Sequence, residues 1–176
     1  LADLVIKNCN VVNVYTGEIR QEDIAISDGV IAGLGSYQGI TELDGAGNYA
    51  VPGLIESHIH IESAFVTPEE ISRLLVPRGT TTIIADPHEI VNVCGIKGME
   101  YMLDAAKNTI LDIRYMMPSC VPSTFFEHGG AVIEAEDMRE LLLQDKVLGL
   151  GEFMNYPGVI AGENGVLDKI LAAEGK

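Results

Sequence analysis

The chain has 176 residues, 47% of them hydrophobic, which is enough to bury a core and argues against disorder. With 26 acidic against 11 basic residues and a formal net charge of −15, it lacks the clustered Lys and Arg that a nucleic-acid or anionic-membrane surface needs. Trp is absent and aromatics make up 6%, so the core is expected to be aliphatic.

The first stretch, residues 1–50, reads as β-structure, with Leu4–Ile6, Val11–Val14, Asp23–Ile26 and Val30–Leu34 as short strands. Asp28-Gly29 between the last two favours a two-residue hairpin turn. Gly45 and Gly47 loosen the chain ahead of Val51-Pro52-Gly53, where a domain change is expected, leaving residues 51–176 as a second domain. Leu54–Ile61 reads as a buried strand. Thr67-Pro68-Glu69-Glu70 starts a helix, with Thr67 as cap, Pro68 in the first turn and Glu70 completing a capping box. Pro77-Arg78-Gly79 stops it. Thr80–Ala85 is a β-branched strand running into the loop Asp86-Pro87-His88-Glu89. A helix over Gly98–Lys107, a strand over Ile113–Met117, a helix over Ala135–Leu143, a strand over Val147–Leu150 and a helix from Val166 follow. Strand and helix thus alternate with a period of about 30 residues, as βαβ units do. The fold class is α/β with a parallel sheet covered on its faces. Four such units are half of an eight-unit barrel, which typically takes ~250 residues. The arrangement is either an open sheet or the first half of a barrel that continues past Lys176.

His58 and His60 carry the sharpest chemical signal. Residues i and i+2 of a strand point to the same face, so both imidazoles converge near the C-terminal end of their strand, where barrel enzymes place their sites. Two neutral imidazoles on a rigid strand suit a divalent transition metal; the bland alternative is a pair of ordinary core histidines. Glu152 follows the strand Val147–Leu150 and Gly151, and a carboxylate at such an end can bridge two metals or hold a water; alone, it reads as a solvated loop residue. Asp86, His88 and Glu89 offer metal ligation, proton relay or substrate orientation. Asp86 before a proline equally caps a loop. Glu62 shares the face of His60 and is either an additional ligand or an acid behind one. Cys9, Cys94 and Cys120 follow no CxxC spacing and are expected to be free thiols of a reducing, cytoplasmic compartment. No Walker loop, dinucleotide glycine pattern or GxSxG elbow is present.

Pro52–Ser63 (PGLIESHIHIES), Gly79–Ile90 (GTTTIIADPHEI), Ser119–Thr124 (SCVPST) and Gly151–Val159 (GEFMNYPGV) together resemble the amidohydrolase superfamily, and within it the bacterial-type adenine deaminase family. The resemblance implies a metal-dependent (β/α)₈ TIM barrel, here its first four βα units, preceded by a small N-terminal β-sandwich segment. It implies hydrolytic deamination of adenine to hypoxanthine and ammonia, in purine salvage. The implied cofactor is a binuclear divalent metal, iron or manganese ahead of zinc. His58 and His60 would bind the more buried ion and Glu152 would take the bridging place. Glu152, His88 and Glu89 are the implied catalytic set, with an acid protonating the leaving nitrogen. The family places further histidine and aspartate ligands on later strands, so these residues alone are expected to be inactive. The implied partners are adenine, the remainder of the barrel and a second copy in a dimer, with no nucleic acid and no membrane. Two other readings stand beside this one: a related amidohydrolase acting on a cyclic amide or amidine, and an inactive α/β binding module.

Overall fold

Asp28 and Gly29 both take positive φ, 52° and 75°, and make the tight turn between strand β2 (Ile19–Ser27) and strand β3 (Val30–Gly35). In the computed structural model, which describes residues 1–176, the chain forms two compact units, Leu1–Pro52 and Gly53–Lys176. The first is one mixed sheet. The two strands expected over Leu4–Ile6 and Val11–Val14 are a single long strand β1 (Ala2–Val12). Asn8, at φ 56°, sits at a register shift between Ile6 and Cys9, which is why the apolar alternation breaks there. Two strands that the alternation did not reveal, β4 (Gly39–Asp44) and β5 (Tyr49–Ala50), pair parallel with β1. The strand order is β3-β2-β1-β4, with β5 further along β1.

The second unit is an α/β fold. Its strands β6 (Leu54–Ile59), β7 (Thr80–Ala85), β8 (Asp112–Met117) and β9 (Val147–Leu150) form one parallel sheet in chain order. Helix α1 (Pro68–Leu75) lies between β6 and β7, α2 (His88–Cys94) and α3 (Ile96–Ala106) between β7 and β8, and α4 (Ala135–Leu142) between β8 and β9. Helices α5 (Tyr156–Ala161) and α6 (Asn164–Ala172) follow. The core joins Ile83, Ile113 and Val147 of the sheet to Met99, Met102, Met138 and Leu141 of the helices. It is not wholly aliphatic: Tyr115 is fully buried and donates its hydroxyl to Met102 O at 2.8 Å. Burial pushes its phenol far above the ordinary value.

Several expectations need correction. The strand carrying His58 is not buried. β6 is an edge strand, paired only with β7, and Leu54 and Ile55 are 59% and 66% exposed. The Asp86–Glu89 loop is shorter than expected, because α2 starts at His88. The β-branched run of α2 gives little helix signal, and the burial of Val91 holds it in place. At α1, Thr67 Oγ accepts from Glu70 N, but no capping box forms: the Glu70 carboxylate takes Arg73 one turn on. The reciprocal box is found instead at α4, between Glu134 and Asp137. No helix is long and apolar enough to cross a membrane, and all three cysteines are free.

Candidate metal centre

The C-terminal ends of β6, β7 and β9, and the residues just after β8, build one site. Backbone ladders continue past the strands: Asp86 N donates to Ile59 O at 2.9 Å and Gly151 N to Met117 O at 2.7 Å. The first brings His60 beside Asp86 and His88. The second brings Glu152 beside Ser119, whose Oγ donates to Glu152 O at 2.7 Å. Asp86 ties the two ends together, since its Oδ2 accepts from Glu152 N at 2.8 Å although the residues are far apart in the chain. Gly151 makes this approach feasible, because a Cβ there would lie 2.1 Å from Asp86 Oδ2.

The imidazoles gather, although the strand expected to reach Ile61 ends at Ile59 and its register with β7 shifts between Glu56 and Ile59, so that His60 lies just past it. The rings of His58 and His60 are edge to face with centroids 5.0 Å apart, and His88 lies 6.2 Å from His60. His60 Nε2 is 3.1 Å from Glu152 Oε1 and its Nδ1 is 3.2 Å from Glu89 Oε2. Glu89 is itself held by Ser63 Oγ at 2.8 Å. His88 Nδ1 is 2.6 Å from Asp86 Oδ1. These last contacts are close but out of line: His60 Nδ1, Asp86 Oδ1 and both nitrogens of His88 are buried without a hydrogen-bond partner. Burial opposes the charging of His60, but Glu89, Asp86 and Glu152 outweigh it and raise its pKa. Burial pushes the Glu62 carboxyl up, against a hydrogen bond from Ile90 N at 3.2 Å.

Two trios of potential ligand atoms emerge, each mutually within 4.8 Å: His58, His60 and Glu152, and Asp86, His88 and Glu152. Glu152 belongs to both. Six of the residues singled out from sequence (His58, His60, Asp86, His88, Glu89 and Glu152) meet here, and Asp86 is fully buried. A cavity of ≈ 260 Å³ is lined by His60, His88, Glu89 and Glu152 and also by Asn92, Cys120, Ser123 and Met154. The last four lay outside the sequence-based set. Asn92 could have been found from its spacing, one helical turn after His88, had α2 been recognised.

Residues 49–175 match the family described as "Amidohydrolase family". This chain belongs to the amidohydrolase family. Among its curated relatives, "Adenine deaminase 2" of Desulfotalea psychrophila is 60% identical over 98% of the chain, and "Adenine deaminase" of Ligilactobacillus salivarius is 58% identical over 98%. The chain spans about 30% of the length of each. Among solved structures, one titled "Crystal structure of an adenine deaminase" superposes with a TM-score of 0.57 at 19% identity, over 85% of this chain and 40% of the other. A D-hydantoinase from Thermus sp. superposes at 0.52 with 25% identity, over 65% of this chain and 27% of the other. The amidohydrolase fold is metal-dependent, and the trios are its candidate ligands here. The donor set fits that role. Imidazole and carboxylate are the ligand types for a divalent transition metal, and buried, unpartnered imidazole nitrogens are what an ion would satisfy.

Proposed function

We propose that this chain forms the metal-bearing N-terminal part of an enzyme that hydrolyses adenine to hypoxanthine and ammonia. The observation that carries the reading is Glu152, shared by two ligand trios at one cavity. A shared carboxylate is what two adjacent ions require, and relatives of about 60% identity are named adenine deaminase. His58 and His60 would hold one ion, Asp86 and His88 the other, and Glu152 both. Iron or manganese is favoured, with zinc as the alternative. When bound, the ions supply Lewis acidity that makes water a nucleophile near neutral pH.

The protein's own residues do the rest. The water attacking C6 must lose a proton and the departing nitrogen must gain one. Glu89 faces the cavity beside His60 and is anchored by Ser63, so it is the side chain placed to carry that proton. His88 is buried with both ring nitrogens unpartnered, which suits a ligand better than a proton carrier. The open edge of β6, with its exposed Leu54 and Ile55, is where we place the remainder of the barrel. A dimer in the cytoplasm is the assembly that accompanies this reading.

The test uses the intact enzyme, assayed for ammonia release from adenine and for bound metal. Glu152→Gln is expected to lose both ions and activity, and His58→Asn to lose one ion. Metal-loaded enzyme that turns over only cyclic amides, or binds no metal, would sink the proposal.

A further inference from the structure

Asn92 stands one turn after His88 on α2 and lines the same cavity, yet belongs to neither ligand trio. Its Oδ1 is buried with no hydrogen-bond partner, which a side chain serving only the local fold would not leave. The surroundings hold it in place. Gly130 N donates to Asn92 O at 2.8 Å, and the absence of a side chain at Gly129 leaves room for the carboxamide, since a Cβ there would lie 2.8 Å from Oδ1. The loop carrying these glycines is shut at its base by Ile133 N donating to Val121 O at 2.9 Å. An acceptor is thus fixed beside the metal ligands and left unsatisfied, on a carboxamide that also carries a donor.

We propose that Asn92 reads the amino edge of the substrate, an inference that rests on the adenine reading of the site. A carboxamide offers a donor and an acceptor side by side, and adenine presents the complementary pair, the exocyclic N–H and N7. Rotating the carboxamide about its last bond presents Oδ1 to the amine and Nδ2 to N7. The product has a carbonyl oxygen at C6 and N7 beside it, two acceptors where the carboxamide supplies one donor. Asn92 therefore favours substrate over product and rejects purines that already carry an oxygen at C6. Cys120 and Ser123, the other uncharged polar groups of the wall, lack this paired geometry.

The experiment compares adenine with 7-deazaadenine, which lacks the N7 acceptor, in the metal-loaded intact enzyme. Wild type is expected to discriminate in kcat/KM by ~10–100-fold, the range for losing one good bidentate contact. Asn92→Ala is expected to lose a similar factor on adenine, to keep its metal, and to narrow the ratio between the two substrates to the part set by their intrinsic reactivity, because the partner of N7 is gone. Asn92→Gln, which keeps the amide but displaces it, gives the same ratio if the alanine variant fails to fold. A variant retaining the wild-type ratio, or a wild type that does not discriminate, overturns the inference while adenine turnover leaves the reading of the site intact. Wild type that releases no ammonia from adenine overturns both, and is distinguished by that result alone.

Discussion

Gly151→Ala is the sharpest structural perturbation that the site offers. The added methyl would stand 2.1 Å from Asp86 Oδ2, 2.6 Å from its Cγ and 2.7 Å from Oδ1. That is a shortfall of roughly 1.4–1.9 Å at Oδ2 against ordinary non-bonded contact. The carboxylate has nowhere to retreat: Asp86 is fully buried, accepts from Glu152 N and lies against His88. Overpacking of this kind costs ~1–3 kcal/mol. Losing a hydrogen bond to a carboxylate costs ~1.5–3 kcal/mol. The two overlap, because one movement of Asp86 relieves the clash and breaks the bond, so a loss of about 3 kcal/mol is expected. The same movement disturbs a ligand trio, so metal affinity is expected to fall ~10–100-fold. Gly149→Ala is the internal control, since its methyl would meet only Met116 Cε at 3.6 Å and should cost under ~1 kcal/mol. Denaturant unfolding of the metal-free intact enzyme and metal titration measure the two effects. Equal midpoints and equal affinities for the two variants would refute the argument.

Other substitutions test other links. Tyr115→Phe removes the bond to Met102 O and should lower stability by about 1 kcal/mol in denaturant unfolding, with the slope unchanged. Thr67→Ala should cost ~1 kcal/mol through its lost cap, whereas Glu70→Gln should cost little, because Glu70 closes no capping box; the same unfolding curves compare them. Asp112 gives a pH dependence. Burial raises its pKa, but Lys146 and Arg114 more than offset this and hold it below the ordinary value. Its contribution is therefore present above the ordinary aspartate range and lost as pH falls through the lowered pKa. Because the group is partly exposed the effect is small, and Asp112→Asn should flatten the acid limb of a stability–pH curve and leave the neutral limb's shape alone.

The chemistry of the site was legible where it depended on local periodicity. The closeness of His58 and His60 follows from a strand end, although β6 stops at Ile59 before His60, and Glu152 needs only an apolar run before it. Asp86 was harder to weigh, because Asp-Pro has a sufficient local explanation. Its importance comes from Gly151 and Glu152, contacts across the sheet that no short window contains. Asn92 was hidden for a related reason: Ile90, Val91 and Val93 are poor helix formers, and α2 exists because Val91 is buried by the core. The bulge at Asn8 split one strand into two apparent ones, and β4 is nearly all exposed, so its alternation marked no buried face. The exposure of β6 could not be read either, since the order of strands in a sheet is a property of pairing and not of composition.

The hydrogen bond from Ile133 to Val121 divides the site into two parts of unequal tolerance to insertion. Everything needed to hold the metal end of the site lies outside the segment that it closes, while Ser123 and the aromatic pair Phe125 and Phe126 lie inside. Closing a longer loop is cheap, about 0.6 kcal/mol for each doubling of length. Insertions between Val121 and Gly129 that keep the bond from Gly130 to Asn92 can therefore change the cavity wall at Ser123 while leaving the metal-binding side chains on their own elements.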